Sequence, residues 1–497
     1  MPSVVNYAWH FYFCQNIFFT TKQNVMYRFL LVLSILATFI MCQTKNKGTV
    51  EAVDAKFAGA AEKYKTICSS CHGQKVDAFV DRKWLHGSQR DSLIKSITNG
   101  FPEKEMPAFG LTFKQNEIEE LADYILNSIE EAKRYKFDGK PKSNVFVQSS
   151  MTVKLDTVAK GMKNPWGMAF LPDGDMLVTD RNGDFFRLDK NRQKIPIEGR
   201  PTVLAEGQGG LLDVELHPKY AENGLIYLSY SKFRDSAGGK WSTTAVMRAK
   251  LEGNKLTQQR DIFVAHPYQK TRHHYGSRLE FDKNGYLFVS VGDRGQHTPL
   301  LPQKLDNDMG KIHRIYDDGR IPADNPFVKN DTARKTIFSY GHRNPQGMAM
   351  HPTTGEMWTN EHGPRGGDEI NISERGKNYG WPVICYGINY DGTVLTPLTK
   401  KDGMEQPMLY WLPSIGPCGA TFVTGDKYKA WKGDYLVGSL RFEYLNRCKV
   451  EGNKVVKEEI LLKNIGRLRF VEMGRDGYIY VGVENPGYVF RLMPVEN

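Results

Sequence analysis

The sequence predicts two folded units of different class: a small all-α unit near the N-terminus and, over most of the remaining chain, an all-β six-bladed propeller. Three observations predict it. A turn dipeptide ending in glycine, followed by a short apolar-aromatic run, recurs six times between residues 151 and 493; the same stretch shows almost no helical periodicity; and residues 51–135 do show it, on both sides of a C-x-x-C-H motif.

The six repeats are Asp173-Gly174 before MLVTD, Asn223-Gly224 before LIYLSY, Asn284-Gly285 before YLFVSV, Thr354-Gly355 before EMWTNE, Lys432-Gly433 before DYLVGS and Asp476-Gly477 before YIYVGV. Each is a tight turn opening a strand, and the irregular intervals are of blade size, so residues 151–497 are assigned to the propeller. A pair of large sandwiches is the structural competitor. In a propeller, ligands bind at the central mouth, so functional residues should be scattered along the chain and converge only in space.

With 497 residues the chain exceeds one small core. Its 67 basic against 56 acidic side chains give +11, yet no dense Lys/Arg block appears, which argues against a nucleic-acid footprint and for charge either spread over surfaces or gathered around an acidic ligand. Met26-Tyr27-Arg28 leads into the apolar run Phe29–Met41, too short to span a bilayer and of the form of a secretory signal, with residues 1–25 as an upstream extension. Residues 1–50 are thus read as extension and export signal, which predicts a periplasmic or otherwise extracytoplasmic protein. Cys42, directly after the run, is a candidate lipid acceptor for membrane attachment, although Met41 departs from the small residue such signals prefer. Of the seven cysteines, Cys385, Cys418 and Cys448 stand far apart and leave buried thiols or one disulfide equally open.

In the first unit Cys68-Ser-Ser-Cys71-His72 has the spacing for two thioethers to a haem and an axial histidine, with a redox or zinc pair as the alternative. Helical periodicity over Ala58–Ile67 and Asn116–Ile129, the latter placing Ile118, Leu121, Ala122, Ile125 and Ile129 on one face, favours haem. Met106, in a Gly/Pro-rich loop before the last helix, suits the sixth iron position. This unit, residues 51–135, resembles the class I cytochrome c fold with covalent haem c. Residues 136–150 are polar and read as a linker.

The second unit carries an unusual loop from Gly341 to Pro382, whose glycines and prolines expose backbone carbonyls beside Arg343, Asp368 and Glu369; such a loop suits Ca²⁺ together with an anionic ligand. Other polar loops precede successive blades: Gly207 to Asp213, Arg272 to Arg278, Pro413-Ser414, Arg441 and Arg467-Leu468-Arg469. Several cations facing one mouth call for an anion.

NPWGMAF, GQGGLLDVELHP, HHYGSRL, GDRG, GHRNPQG, EHGPRGGDEIN, KNYGWP and PSIGPCG, in this order and one register, resemble the soluble aldose (glucose/sorbosone-type) sugar dehydrogenases that use pyrroloquinoline quinone. The resemblance implies a six-bladed propeller that oxidises the anomeric hydroxyl of an aldose to a lactone, and here electrons would pass on to the haem and to a downstream acceptor. It implies His274 as the base, Arg343 and Asn344 as the groups polarising the quinone, Gln208 and Tyr390 as further contacts, and Arg441, Arg467 and Arg469 as partners of the cofactor's carboxylates. It also implies Gly363 and Pro364 carbonyls on the cofactor's Ca²⁺, and Glu369 with the Tyr379 carbonyl on a second, structural Ca²⁺. Ca²⁺ would act as a Lewis acid on the quinone carbonyl. Three positions depart from the family pattern: His273 stands for an acidic residue, Arg294 for a glutamine and Arg441 for a lysine. The first two are expected where sugar is held, so glucose preference does not carry over. A Ca²⁺-dependent propeller lactonase and a non-catalytic carbohydrate-binding propeller are the alternatives; neither needs the arginines or the C-x-x-C-H.

Overall fold

The computed structural model describes residues 55–72, 76–81, 84–102, 106–131, 139–295 and 300–495. The export signal, Cys42, residues 132–135 at the end of the expected helical unit and residues 136–138 of the expected linker lie outside them, as does the side chain of Cys71.

The first described unit is all helical. Helix α1 (Arg90–Asn99) buries Leu93 and Ile97, and helix α2 (Gln115–Glu131) buries the stripe Ile118, Leu121, Ala122 and Ile125 that the periodicity predicts. Glu117 receives the Lys114 amide at 2.8 Å and so starts α2, while Arg90 bridges the two helices by a forked pair of bonds to Asp123. Before them, Ala58–Lys63 is α-helical and continues in a wider turn over Tyr64–Cys68. Cys68, Phe79 and Trp84 pack against the shared core.

From Val145 onward the chain is β. Six sheets form, five of four strands and one of five, each with its strands in chain order, which is the topology of a six-bladed propeller. The ring closes by mixing ends: Thr152–Ala159 pairs with Tyr488–Val495, from Thr152 opposite Val495 to Ala159 opposite Val489. All six predicted turn glycines lie between the first and second strand of a blade, and all six have positive φ, from 67° to 92°. Strands alternate in direction, so these six turns open on one face of the disc. The other face receives the connections between second and third strands and those between successive blades.

Glycine also sets how closely blades approach at the axis. A Cβ on Gly347 would lie 2.5 Å from Cys418 O, and one on Gly419 would lie 2.5 Å from Phe470 Cα, so each innermost strand packs backbone to backbone on the next. Outside this ring, aromatic side chains such as Trp358, Phe422 and Tyr435 fill the space between blades 4 and 5.

One segment differs from expectation. Val145–Val147, inside the stretch read as linker, form a fifth strand on the closing blade by pairing with Thr152–Lys154. Alternating Val-Phe-Val gives the open edge a complementary ladder, which the surrounding polar composition conceals.

Candidate active site

The loops on the face opposite the glycine turns bring together residues that are far apart in sequence. His274 sits in the connection entering blade 3 with a left-handed φ of 50°, a conformation that a side chain adopts only when its surroundings enforce it. Two neighbouring blades enforce it. Gln208 Oε1 accepts the His274 amide at 2.7 Å, and Asn344 Oδ1 accepts the Gly276 amide at 3.1 Å. Gln208 and Asn344 therefore clamp the backbone of the histidine loop with their oxygens, which leaves their NH₂ groups for other contacts.

The His274 ring is fixed from the other side. Its Nδ1 lies 2.6 Å from Asp293 Oδ1, and Asp293 also accepts the Gly295 amide at 2.7 Å and Trp381 Nε1 at 2.8 Å. Three donors converge on one buried carboxylate, so it is ionised and Nδ1 carries the proton. Burial pushes the Asp293 pKa up, but its interaction and hydrogen bond with His274 and the charge of Arg343 outweigh it and hold it below the ordinary value. Burial and the neighbouring Arg343 lower the His274 pKa, against the opposing pull of Asp293. A neutral imidazole with Nδ1–H anchored keeps Nε2 as a proton acceptor.

Arg343 is buried and spans the next loop: its amide donates to Glu361 Oε2 at 2.6 Å, and its Nη1 donates to His362 O at 3.1 Å and to Gly363 O at 2.6 Å. The Gly363 carbonyl expected to meet Ca²⁺ thus takes the guanidinium here. Arg343 Nε is buried without a hydrogen-bond partner among the described residues, a donor aimed at something more. Around it the 363–367 and 385–388 loops interlock through Arg365 and Ile388, and a Cβ on Gly363 or Gly387 would stand 2.2 Å from a neighbouring carbonyl oxygen. Backbone therefore dominates there, Pro364 included. Asp368, pushed up to about 6 by burial, fixes the loop by accepting the Gly363 and Gly416 amides and the Ser414 hydroxyl.

Glu369 lies beside Glu361, and burial followed by that second carboxylate raises its pKa well above the usual range. Asn371 donates to both, while its own Oδ1 is buried without a partner among the described residues. Two neighbouring buried carboxylates, bridged by the Asn371 Nδ2 group, supply hard oxygens of the kind that fits a divalent cation. Tyr379 stacks on His342 at 4.6 Å and donates its hydroxyl to Ile372 O.

The arginines behave differently from one another. Arg469 is buried, donating to Glu484 at 2.6 and 2.8 Å and to Gln346 Oε1 at 3.0 Å. Arg467 is more open, bonding Glu484 Oε2 at 3.2 Å and Leu440 O at 2.9 Å, and Arg441 is exposed with Nη1 on Ser414 O at 2.9 Å. Arg181, half-buried in the field of Arg467, Arg469 and Glu484, adds a cation that sequence reading did not single out. One carboxylate thus faces several guanidinium groups, and an anion fits the surplus.

One expectation needs revision. Arg294 does not reach a sugar: it is fully buried, bonds His273 O at 3.0 Å and Thr271 O at 2.8 Å, and lies 3.5 Å over the Tyr275 ring, because the carbonyls of the histidine loop and that ring take its guanidinium. Tyr390 is 70% exposed, on the outer part of the loop that Ile388 begins. His273 is exposed beside His274. Sequence reading missed Asp293, His362, Glu361, Trp381 and Glu484; GDRG and EHG were noted as motifs, and only the fold shows which members point inward.

The sequence profile of glucose/sorbosone dehydrogenases matches residues 162–491. The chain belongs to the glucose/sorbosone dehydrogenase family. Residues 55–125 match the profile of the cbb3-type cytochrome c oxidase subunit III, so a cytochrome c-type domain precedes the dehydrogenase propeller. Among relatives of this family member, the aldose sugar dehydrogenase YliI of Escherichia coli is 43% identical over 352 residues, covering 69% of this chain and 93% of the relative. The crystal structure of the soluble aldose sugar dehydrogenase from Escherichia coli in the apo-form superposes with a TM-score of 0.65 at 39% identity, over 69% of this chain and all of the other. The PQQ-bound form of the aldose sugar dehydrogenase from Streptomyces coelicolor gives a TM-score of 0.57 at 27% identity, over 70% of this chain and all of the other. The protein is an oxidoreductase of the quinone-dependent sugar dehydrogenase family, with its propeller and helical unit as the sequence predicts.

Proposed function

We propose that the protein oxidises an aldose at its C1 hydroxyl to the lactone, with pyrroloquinoline quinone and Ca²⁺ in the propeller mouth, and passes the electrons to haem c in the helical unit. The observation that carries this is the His274–Asp293 pair opening on a mouth whose guanidinium groups outnumber their carboxylate partners. The quinone, when bound with Ca²⁺, supplies the two-electron acceptor. The chain's own part is to hold and to deprotonate. His274 Nε2 takes the hydroxyl proton, Asp293 stabilises the resulting imidazolium through Nδ1, and Arg343, whose Nε is unsatisfied, faces the charge that develops as the proton leaves. Arg441, Arg467 and Arg469 would hold the cofactor's carboxylates, and Glu369, with the Tyr379 carbonyl and the neighbouring Glu361 carboxylate, would hold the structural cation. Cys68 and Cys71 carry the haem, with His72 and Met106 on iron.

The test is reconstitution of the purified protein with quinone and Ca²⁺, a panel of sugars, and the haem absorbance. Sugar-dependent haem reduction that requires both additions is expected; hydrolysis of a lactone without them would overturn the proposal. We further place the enzyme outside the cytoplasm, since covalent haem attachment and the apolar run Phe29–Met41 point the same way, with a lipid on Cys42. Cell fractionation, and fatty-acid labelling lost in Cys42→Ala, check it; cytosolic recovery would refute it.

A further inference from the structure

The chain enters the propeller on the face that carries the mouth. Asn464 donates its side-chain amide to Gly139 O, Asn144 exchanges bonds of 2.7 and 3.1 Å with Leu155, and Val145–Val147 then run down the edge of the closing blade. Residues 140–144 form one wall of a groove whose opposite wall is Glu443, Asn464, Ile465, Asn485 and Pro486. These lie in the connections that carry Arg441 and Arg467: Glu443 follows the first by two residues, and Asn464 precedes the second by three. The segment joining the two units is therefore a strap on the mouth rim over blades 5 and 6.

The strap limits where the helical unit can be. Only residues 132–138 separate the end of α2 from Gly139, and a fully extended chain of that length reaches under about 30 Å. The helical unit is therefore tethered to the mouth rim at Gly139. Its surface suits a partner. Leu111, fully exposed, lies five residues beyond Met106 on the same loop, and Leu85 is 63% exposed. Helix α2 carries six carboxylates and no basic side chain; Glu117, Glu119 and Asp123 pair with Lys63 and Arg90, and the others are opposite in charge to a strap that carries Lys140 and Lys142.

We propose that the mouth rim over blades 5 and 6 is the docking surface for the chain's own helical unit, with the loop around Leu111 turned toward it. This deepens the proposed electron transfer and rests on it for its purpose, but its placement can be tested without quinone. Amine-reactive cross-linking of the full chain, read by mass spectrometry, should couple Lys65, Lys95 and Lys114 to Lys160, Lys163 and Lys463 on the mouth face. Comparable coupling to Lys219, Lys283 and Lys427, beside the glycine turns of the opposite face, would overturn it. So would couplings that arise mainly between light- and heavy-nitrogen copies, since the partner would then be a second chain. A thirty-residue Gly/Ser insertion between Asp138 and Gly139 should weaken the mouth-face cross-links. In the quinone-loaded enzyme it should slow haem reduction by about tenfold, as effective concentration falls with tether length, and leave dye-linked sugar oxidation unchanged. Intact cross-links with a haem that sugar never reduces would keep the docking and sink the electron-transfer reading.

Discussion

Asp293→Asn tests the base most directly, because the side chain keeps its shape and loses only its charge and one acceptor. Three donors converge on Asp293, namely His274 Nδ1, the Gly295 amide and Trp381 Nε1, and an asparagine amide offers one oxygen to them while turning an NH₂ group toward at least one. Mispairing of that kind costs about 1–3 kcal/mol. The larger loss is electrostatic. The imidazolium formed when Nε2 takes a proton would lack a carboxylate whose charge centre lies roughly 4 Å away, an interaction of about 4 kcal/mol at an effective dielectric constant of 20. That corresponds to about a thousandfold in turnover, inside the range for general-base work. Asp293 also raises the His274 pKa, so its loss should move the acidic limb of kcat/KM to lower pH, because the neutral base then persists further into acid. Steady-state oxidation of an aldose by quinone-loaded enzyme with an artificial dye gives both readouts, and quinone affinity by titration controls for the fold. A loss below tenfold with an unmoved acidic limb would show that Asp293 does not act through His274.

Met106→Ala should retain covalently attached haem while opening the sixth iron position, seen as carbon monoxide binding and a lowered potential; an unchanged spectrum would assign the ligand elsewhere. Burial pushes Glu484 up, but Arg469 and Arg467 outweigh it and hold it at about 2. Its stabilisation should therefore be complete above pH 4.5 and lost as pH falls toward 2, so Glu484→Gln should cost about 3 kcal/mol near pH 6 in denaturant melts and almost nothing near pH 2. Glu280 has the opposite sign: burial raises it to about 8, so the fold is penalised as pH climbs from about 4.5 to 8. Glu280→Gln should raise the melting temperature at pH 8 and leave it unchanged at pH 4, and equal shifts at both would refute the assignment.

What the sequence discloses depends on whether a feature is local. Each glycine turn is written in two adjacent residues and a following apolar run, so six blades could be counted before any of them was seen, and the face of α2 follows from residues three and four apart. The histidine loop is not local. His274 is held by Gln208, 66 positions before it, by Asp293 after it, and indirectly by Asn344 through Gly276. Resemblance identifies His274, Gln208 and Asn344, but not that Gln208 and Asn344 spend their oxygens on the amides of His274 and Gly276 in the histidine loop. The arginines make the same point in reverse. Arg294, Arg343 and Arg469 look alike in sequence, yet one is a brace beneath the loop, one is a donor left with an idle Nε, and one shares the single Glu484 carboxylate with Arg467. The recurrence of cations in loops before successive blades predicts an anion at the mouth. Which cations remain to bind it depends on carboxylates such as Glu484, carried by a neighbouring strand connection 15 residues from Arg469, and that pairing exists only once the blade has folded.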